Sequence, residues 1–313
     1  KAMWFVVTVI SNLPERNRMS KKGICFFAFN NTELDYIKFA MYASLQVKKH
    51  FKEHNQVCLI TTLSDQAYME ENWTEEEINK AFDYIVIDEH TYLNDNMRVH
   101  YDSPWTEFQA PFHNRQKHDV YWMSPFDETL LLDIDYIVQT NHLEYLFRDD
   151  NTSNLQMFDK ARYLRYDRPP FPERYLNMNG IPMWWSTVIY FQKSPEAKMF
   201  FDLWSHIADN YDYYKFLYGF PGKLFRTDYC VSIALHILNG MQHGDFVEPI
   251  VGSMLNMDQK DVIIESSDPD YFNFLAHDRD ENWKNILVHS KNQDVHCMNK
   301  RNLKDIIDGY NLT

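Results

Sequence analysis

The chain has 313 residues, 45% of them hydrophobic and 16% aromatic, which excludes a disordered protein because so much apolar surface supports a packed core. The formal net charge of −14 makes nucleic acid an unlikely partner without excluding a local basic cleft, since DNA and RNA binders neutralise phosphates with Lys and Arg. The longest apolar stretch near the start is too short to span a bilayer, so no membrane anchor is expected. The four widely spaced cysteines predict reduced thiols in a cytoplasmic protein.

Short apolar runs predict the strands of a central sheet. Each run is bounded by polar turn residues, as in a parallel strand that is covered on both faces. In chain order the runs span residues 24–29, 57–61, 84–87, 128–132, 187–191 and 286–289.

Helices are predicted between these strands. Apolar residues at three- and four-residue spacing indicate a first helix that begins at Thr32, and the segment from Thr74 to Glu77 has the pattern of a capping box. Ser194 and Pro195 mark the start of a later helix, with Ser as the cap and Pro at the first helical position. Two further helices are predicted at 228–238 and from about residue 302.

The alternation of strands and helices predicts the α/β class, with a mostly parallel central sheet flanked by helices. We expect a single domain over residues 19–313, preceded by an N-terminal extension of residues 1–18. The segment 91–122 has no clear periodicity and is predicted to fold over the sheet. Because ligands of such sheets bind beyond the carboxyl ends of the strands, the site is expected in the loops that follow them.

An Asp-x-Asp pattern is the main chemical signal, and it occurs at residues 133–135, 268–270 and 278–280. Only Asp133 and Asp135 directly follow an apolar strand, which places both carboxylates at a rigid strand end with Ile134 pointing into the core. Such oxygen ligands suit Mg²⁺ or Mn²⁺, which bind one or two carboxylates together with substrate phosphates. The alternative is a capped turn or an acidic rim. The other two occurrences are interpreted as solvated turns.

The stretch from Ser124 to Asp135 resembles the approach to the metal motif in GT-A glycosyltransferases. It is especially similar to glycosyltransferases carried by bacteriophages and related to the retaining, glycogenin- and galactosyltransferase-like group. Segments 185–191 and 225–229 support the resemblance, which covers roughly residues 22–309. It implies a GT-A (Rossmann-like) fold, a nucleotide-diphospho-sugar donor with UDP as the expected nucleotide, and Mn²⁺ or Mg²⁺ as the cofactor.

In that group a C-terminal His completes the metal shell and a Lys meets the diphosphate, within a His-x-x-Gly-x-x-Lys pattern. The resemblance assigns these roles to His296 and Lys300, although the glycine of the pattern is missing. His289, at the end of the last predicted strand, is the alternative ligand. Either histidine could be structural in a chain that contains 13 of them.

The resemblance also implies residues that hold the donor. By position, the loop after the first strand supplies Phe29, Asn30 and Tyr36 for the base. Arg115, upstream of the metal motif, matches a basic residue that contacts the sugar and the diphosphate. Tyr36 could instead be an aromatic residue on a helix surface, and Arg115 a surface arginine.

Asp228 is the implied catalytic residue, since similar enzymes place a carboxylate against the sugar hydroxyls at this position. As a residue at a helix start it could instead serve as a cap. Ser186 and Thr187, next to Trp184 and Trp185, are expected to line the donor or acceptor pocket, and buried packing is the alternative for both tryptophans.

Together these residues predict a metal-dependent glycosyltransferase that moves a sugar from a nucleotide diphosphate sugar to a saccharide or another hydroxyl acceptor, and the resemblance implies a retaining hexosyltransferase. A retaining enzyme needs no dedicated general base, since the departing phosphate oxygen can take the acceptor proton. A nucleotidyltransferase or sugar pyrophosphorylase would need a Gly-rich turn after the first strand, which this chain lacks. A catalytically idle sugar- or nucleotide-binding module and glycosylation of modified bases in phage DNA remain as alternatives. A viral protein would act in the host cytoplasm.

Overall fold

The computed structural model describes residues 21–89, 97–103, 106–111, 115–165, 175–176, 180–220, 222, 224–268, 271–277 and 284–309. The extension predicted for residues 1–18 lies outside these ranges. Asp270, Asp278 and Asp280 of the two other Asp-x-Asp patterns also lie outside them.

The strands are short and alternate with helices along the chain. In chain order they are β1 Lys22–Phe27, β2 Val57–Thr61, β3 Tyr84–Ile87, β4 Met97–Ser103, β5 Thr106–Pro111, β6 Glu128–Leu132, β7 Tyr136–Ile137, β8 Leu155–Phe158, β9 Ala161–Tyr163, β10 Trp185–Gln192, β11 Glu248–Pro249, β12 Met254–Met257, β13 Val262–Asp268, β14 Tyr271–His277, β15 Asn285–Lys291 and β16 Val295–Cys297.

The helices lie between these strands, together with 3₁₀ segments at Arg115–Asp119 and His142–Phe147. The α-helices are α1 Tyr36–His50, α2 Leu63–Asn72, α3 Glu75–Ala81, α4 Val120–Met123, α5 Pro195–Asp209, α6 Tyr211–Tyr218, α7 Thr227–Leu238 and α8 Lys300–Asp308. None of the helices in the described part of the chain is long and apolar enough to cross a membrane.

The central sheet has seven strands in the order β3-β2-β1-β6-β10-β8-β11. Its pairings are parallel except at β10, which runs antiparallel to both β6 and β8. The carboxyl ends of β1, β6 and β8 therefore point to the same edge, which we call the carboxyl edge of the sheet. This architecture confirms the predicted α/β class with a mostly parallel central sheet.

A second, four-stranded sheet in the order β7-β16-β12-β9 lies next to the chain segment that follows β6. In it His296 is opposite both Tyr136 and Asn256. The amide of Cys297 donates to the carbonyl of Asp135 at 2.8 Å, so this small sheet attaches the C-terminal segment directly to the Asp-x-Asp turn. Pairing between residues about 160 positions apart thus completes the carboxyl edge.

Helix starts follow the predicted capping chemistry with one exception. Thr74 and Glu77 form the predicted capping box, and the Ser194 side chain accepts from the amide of Ala197 with Pro at the start of α5. The first helix does not begin at Thr32 as predicted. Asn31 accepts from the amides of residues 33 and 34, which forms a turn, and Asp35 is the actual cap.

Two segments differ from their predicted structure. Segment 91–122 contains a hairpin of β4 and β5, a 3₁₀ turn and α4, which aperiodic composition did not indicate. The strand predicted at 286–289 belongs to β15 in a separate three-stranded sheet, β13-β14-β15, and not to the central sheet. Its residues are mostly exposed, whereas the strands of the central sheet are almost entirely buried.

Candidate metal and donor site

The Asp-x-Asp turn holds two carboxylates at the carboxyl edge. Asp133 donates its amide to the carbonyl of Thr187 on β10 at 2.9 Å, and its own carbonyl accepts from Tyr136 at 2.9 Å. Ile134 between the carboxylates is buried, as predicted. The Asp135 side chain is 6% exposed, while that of Asp133 is 33% exposed, so the site opens to solvent on the Asp133 side.

His296 joins these carboxylates from the small sheet. One ligand atom from each of Asp133, Asp135 and His296 lies within 4.8 Å of the others. Within the part of the chain that the structure describes, this is the one group of three such side chains close enough to hold a metal ion. The alternative ligand, His289, lies on β15 and pairs with Tyr271 and Asn273 instead.

The orientation of His296 suits a metal ligand. Its Nδ1 lies 3.0 Å from Oδ1 of Asn256, a fully buried residue on β12. Since an amide oxygen only accepts, Nδ1 carries a proton, which leaves Nε2, 3.6 Å from Oδ2 of Asp135, as the ring atom available to a metal. Two carboxylate oxygens and one imidazole nitrogen fixed in this way fit a divalent cation such as Mn²⁺ or Mg²⁺.

Two buried lysines lie against the carboxylates. Lys300, at the start of α8, pairs with Oδ2 of Asp135. Lys117, in the 3₁₀ segment, lies 2.5 Å from Oδ1 of Asp133 and donates to the carbonyl of Ser186. Burial raises the pKa of Asp135, but Lys300 and His296 outweigh it and hold that pKa well below its usual range. The carboxylate of Asp135 therefore stays ionised at neutral pH.

Asp228, the predicted catalytic residue, lies at the first turn of α7 and is fixed by three hydrogen bonds. Its Oδ1 accepts from the amide and hydroxyl of Ser186 at 3.0 and 2.8 Å, and its Oδ2 accepts from Arg226 at 2.9 Å. Burial raises the pKa of this carboxyl, but Arg226 and Ser186 lower it further than burial raises it. The side chain therefore does not cap α7 and is an ionised group held in one place.

The Ser186 backbone connects the metal group to Asp228. Its carbonyl accepts from Lys117, which pairs with Asp133, and its amide donates to Asp228. Thr187, next in the chain, is buried and uses its carbonyl to anchor the Asp133 turn. Both predicted residues thus lie in the site, where their described contacts orient the acidic side chains.

Tyr36 and Arg98 extend the site over the carboxyl edge. Tyr36 is the first residue of α1 and is buried, and its hydroxyl has no hydrogen-bond partner among the described residues. It interacts electrostatically with Lys300 and Asp135. Arg98 on β4 interacts electrostatically with Asp228, with Asp135 and with Tyr36. The hairpin that was not predicted therefore brings a further cation to the site.

The remaining predicted residues are Phe29, Asn30 and Arg115, and each has a defined neighbour. Asn30 accepts from the amide of Ile37 at 3.0 Å and Phe29 packs on Phe27, so both shape the loop after β1. Arg115 lies over the ring of Phe225, 4.8 Å from its centroid. Among the predicted residues, Thr187, His296 and Lys300 directly contact Asp133 or Asp135 of the Asp-x-Asp turn.

Sequence reasoning missed Lys117, Asn256, Arg98 and Arg226. Lys117 is two residues from Arg115, which was predicted to contact the diphosphate, so the segment was identified but the lysine within it was not. Asn256 and Arg98 lie in strands that the apolar pattern did not indicate. Only their pairing with distant segments brings them into the site.

No protein-family model matches this sequence, and no curated protein sequence matches it. Among solved structures, the glycosyltransferase GlyE in Streptococcus pneumoniae TIGR4 is 10% identical and aligns over 74% of this chain and 46% of its own, with a TM-score of 0.40. The galactosyltransferase LgtC is 13% identical over 68% of this chain and 70% of its own, with a TM-score of 0.40. Mouse xyloside xylosyltransferase 1 is 13% identical over 73% of this chain and 84% of its own, with a TM-score of 0.41.

The chain spans less than half of the length of GlyE. Structural likeness at these TM-scores does not carry a functional argument. The function proposed below therefore rests on the residues of the site.

Proposed function

We propose that this protein is a metal-dependent glycosyltransferase that moves a sugar from a nucleoside diphosphate sugar, with UDP as the expected nucleotide, to a saccharide or another hydroxyl acceptor. The observation that supports this most directly is the group of Asp133, Asp135 and His296 at the carboxyl edge, flanked by buried Lys117 and Lys300. Acidic ligands next to buried cations suit a site that receives a metal together with a phosphate-bearing substrate.

Asp133, Asp135 and His296 would hold the ion, Mn²⁺ or Mg²⁺, which when bound supplies positive charge to the oxygens of the leaving diphosphate. Lys117 and Lys300 carry ammonium groups that can donate to phosphate oxygens at the same place. Since both lysines are buried and already oriented by carboxylates, little side-chain entropy is lost when they meet the donor.

Asp228 is suited to orient the sugar. Three hydrogen bonds fix its carboxylate, and an ionised oxygen has lone pairs left to accept from sugar hydroxyls. Arg226 and Ser186 keep it ionised, so it is an acceptor and not an acid at neutral pH. We assign it to sugar positioning in a retaining reaction, in which the acceptor proton passes to the departing phosphate.

A hydrolysis screen of UDP-glucose, UDP-galactose, UDP-N-acetylglucosamine and GDP-mannose with Mn²⁺ or Mg²⁺ tests the proposal. We expect one preferred donor and an absolute need for the ion. Asp133→Asn should lower turnover by at least about tenfold, because it removes a ligand charge from a partly open position that tolerates the change. Asp202→Asn on the half-exposed face of α5 is the matched control and should behave as wild type.

The proposal fails if the wild-type protein neither hydrolyses any of these donors nor binds Mn²⁺, or if Asp133→Asn retains full metal-dependent turnover. Thermal melting of each variant shows whether a loss of activity reflects unfolding. The anomer formed in the first minutes of reaction, followed by proton NMR, decides between retention and inversion.

A further inference from the structure

A cavity of about 210 Å³ opens beside the candidate site. Its walls include Asp159 after β8, Trp184 before β10, Ser232 and His236 on α7, and Gln242 and His243 from the following loop. The volume is several times the roughly 30 Å³ that one liquid water occupies, so the cavity has room for a small ligand. None of these lining residues belongs to the metal group.

The cavity lies along the same carboxyl edge as the metal group. Asp159 follows β8 as Asp133 follows β6, and the two parallel strands are separated only by β10. With neighbouring strands about 4.8 Å apart, the two strand ends are about 10 Å from each other. Ser232 also donates to the carbonyl of Asp228 at 2.7 Å, so the cavity wall is one helical turn from the proposed sugar-positioning carboxylate.

The lining favours a neutral ligand with several hydroxyl groups. Asp159 lines the cavity and its side chain is 28% exposed, so its carboxylate offers an acceptor to a ligand hydroxyl. Burial lowers the pKa of His236, and nearby His243 lowers it further, so this imidazole is neutral at physiological pH. The described lining contains no Lys or Arg, which disfavours phosphate or other anions beside the Asp159 carboxylate.

The aromatic wall points to the same class of ligand. Trp184 supplies an indole ring, and the apolar face of a pyranose packs on such a ring while its hydroxyls bond to side chains around it. Gln242 and the two histidines provide neutral donors and acceptors of the kind that hydroxyl groups need. A lining of Trp184, neutral polar groups and one carboxylate matches a sugar better than a hydrophobic or charged molecule.

We propose that this cavity is the subsite for a non-reacting sugar residue of a saccharide acceptor, and this inference rests on the proposed function. Its distance from the metal group lets one sugar residue of the acceptor occupy the cavity while another presents a hydroxyl to the donor. In the transfer, the acceptor oxygen bonds to the anomeric carbon, the bond from that carbon to the diphosphate oxygen breaks, and the hydroxyl proton goes to the diphosphate. The acceptor is therefore an oligosaccharide or a glycoside, not a free monosaccharide.

Saturation-transfer difference NMR with lactose, maltose, cellobiose and N,N′-diacetylchitobiose tests the subsite in the absence of donor. We expect wild-type protein to bind at least one of them. Asp159→Ala should weaken that binding by about tenfold to a hundredfold, because it removes the hydrogen-bond acceptor that the carboxylate side chain offers. His243→Ala, at an exposed position, should also weaken binding, whereas Lys52→Ala, at an exposed position outside the cavity, should not.

Two results would overturn the subsite. One is that wild type binds none of the four disaccharides, or that it binds tetramethylammonium, a cation without hydroxyl groups, in place of them. The other is that Asp159→Ala binds the disaccharide as wild type does while its melting temperature is unchanged. Donor hydrolysis by the wild-type protein is measured separately, so a protein that hydrolyses a nucleotide sugar without binding any disaccharide refutes the subsite and leaves the proposed function standing.

Discussion

Replacing Asn256 by Leu should weaken Mn²⁺ binding although it leaves Asp133, Asp135 and His296 in place. In the wild-type structure Asn256 accepts the Nδ1 proton of His296, which directs the Nε2 lone pair toward Asp135. Leu has a similar volume but no acceptor. The imidazole then lacks the hydrogen bond that selects its tautomer and its ring orientation, so a smaller fraction of molecules presents Nε2 to the metal.

The size of the expected loss in Mn²⁺ affinity follows from the burial of Asn256 and His296. Asn256 is fully buried and His296 is 9% exposed, so water does not replace the lost acceptor easily. Loss of such a partner typically costs 10- to 100-fold in metal affinity, which corresponds to about 1.4 to 2.7 kcal/mol. In the metal-free protein the unsatisfied Nδ1 proton should also lower the free energy of unfolding by about 1 to 3 kcal/mol.

Isothermal titration calorimetry with Mn²⁺ in the presence of UDP measures the affinity, and urea unfolding measures the stability. Asn256→Asp keeps an acceptor at the same position and should bind Mn²⁺ at least as tightly as wild type. Asn141→Leu, at an exposed position whose side chain makes no capping bond, is the control and should change neither quantity. If Asn256→Leu is folded and binds Mn²⁺ with wild-type affinity, the assignment of His296 as an oriented ligand is wrong.

Lys300→Met should lower the free energy of unfolding of the metal-free protein by about 3 to 5 kcal/mol, because it leaves the buried carboxylate of Asp135 without its lysine. Added Mn²⁺ with UDP should restore part of that loss, and urea unfolding measures both effects. Asp228→Asn should destabilise the protein at pH 7, and the difference from wild type should shrink as the pH falls below about 4. A carboxyl whose pKa is lowered in the folded state contributes its full stability above the pKa of the unfolded chain and loses it as the pH falls toward the folded value. Equal differences at pH 7 and pH 3 would contradict this. Gly23→Ala should lower the free energy of unfolding by about 1 to 3 kcal/mol, since the new Cβ would overlap the ring of Phe126. The new Cβ of Gly309→Ala would make only ordinary van der Waals contacts, so this control variant should melt at the wild-type temperature.

The central sheet was predictable because its strands are continuous apolar runs. Burial on both faces demands such runs, and β2 and β6 show them at their predicted bounds. The same logic separated Asp133 and Asp135 from the other Asp-x-Asp patterns, since only this pair follows a buried strand. Because the apolar strand β6 could be located in the sequence, the polar turn at its end could be located as well.

The small sheet that completes the site could not be predicted in this way. Its strands β7, β9, β12 and β16 have two to four residues, too few for a periodic pattern to be visible. Asn256 and His296 meet only because two of these strands pair in one particular register. The preference for His296 over His289 came from its spacing to Lys300, and the structure brings both of these residues to Asp135.

The charges of the site indicate why metal and donor are expected to bind together. Two carboxylates, Asp133 and Asp135, are already paired with two buried ammonium groups, Lys117 and Lys300, so the group is close to neutral before any ligand enters. A divalent ion alone would add uncompensated positive charge next to these lysines, which is costly where water is excluded. A diphosphate alone would be repelled by the carboxylates of Asp133 and Asp135. If both were to enter, Asp133 and Asp135 would hold the ion and the two lysines would donate to phosphate oxygens, so each ligand would remove the electrostatic cost that the other faces.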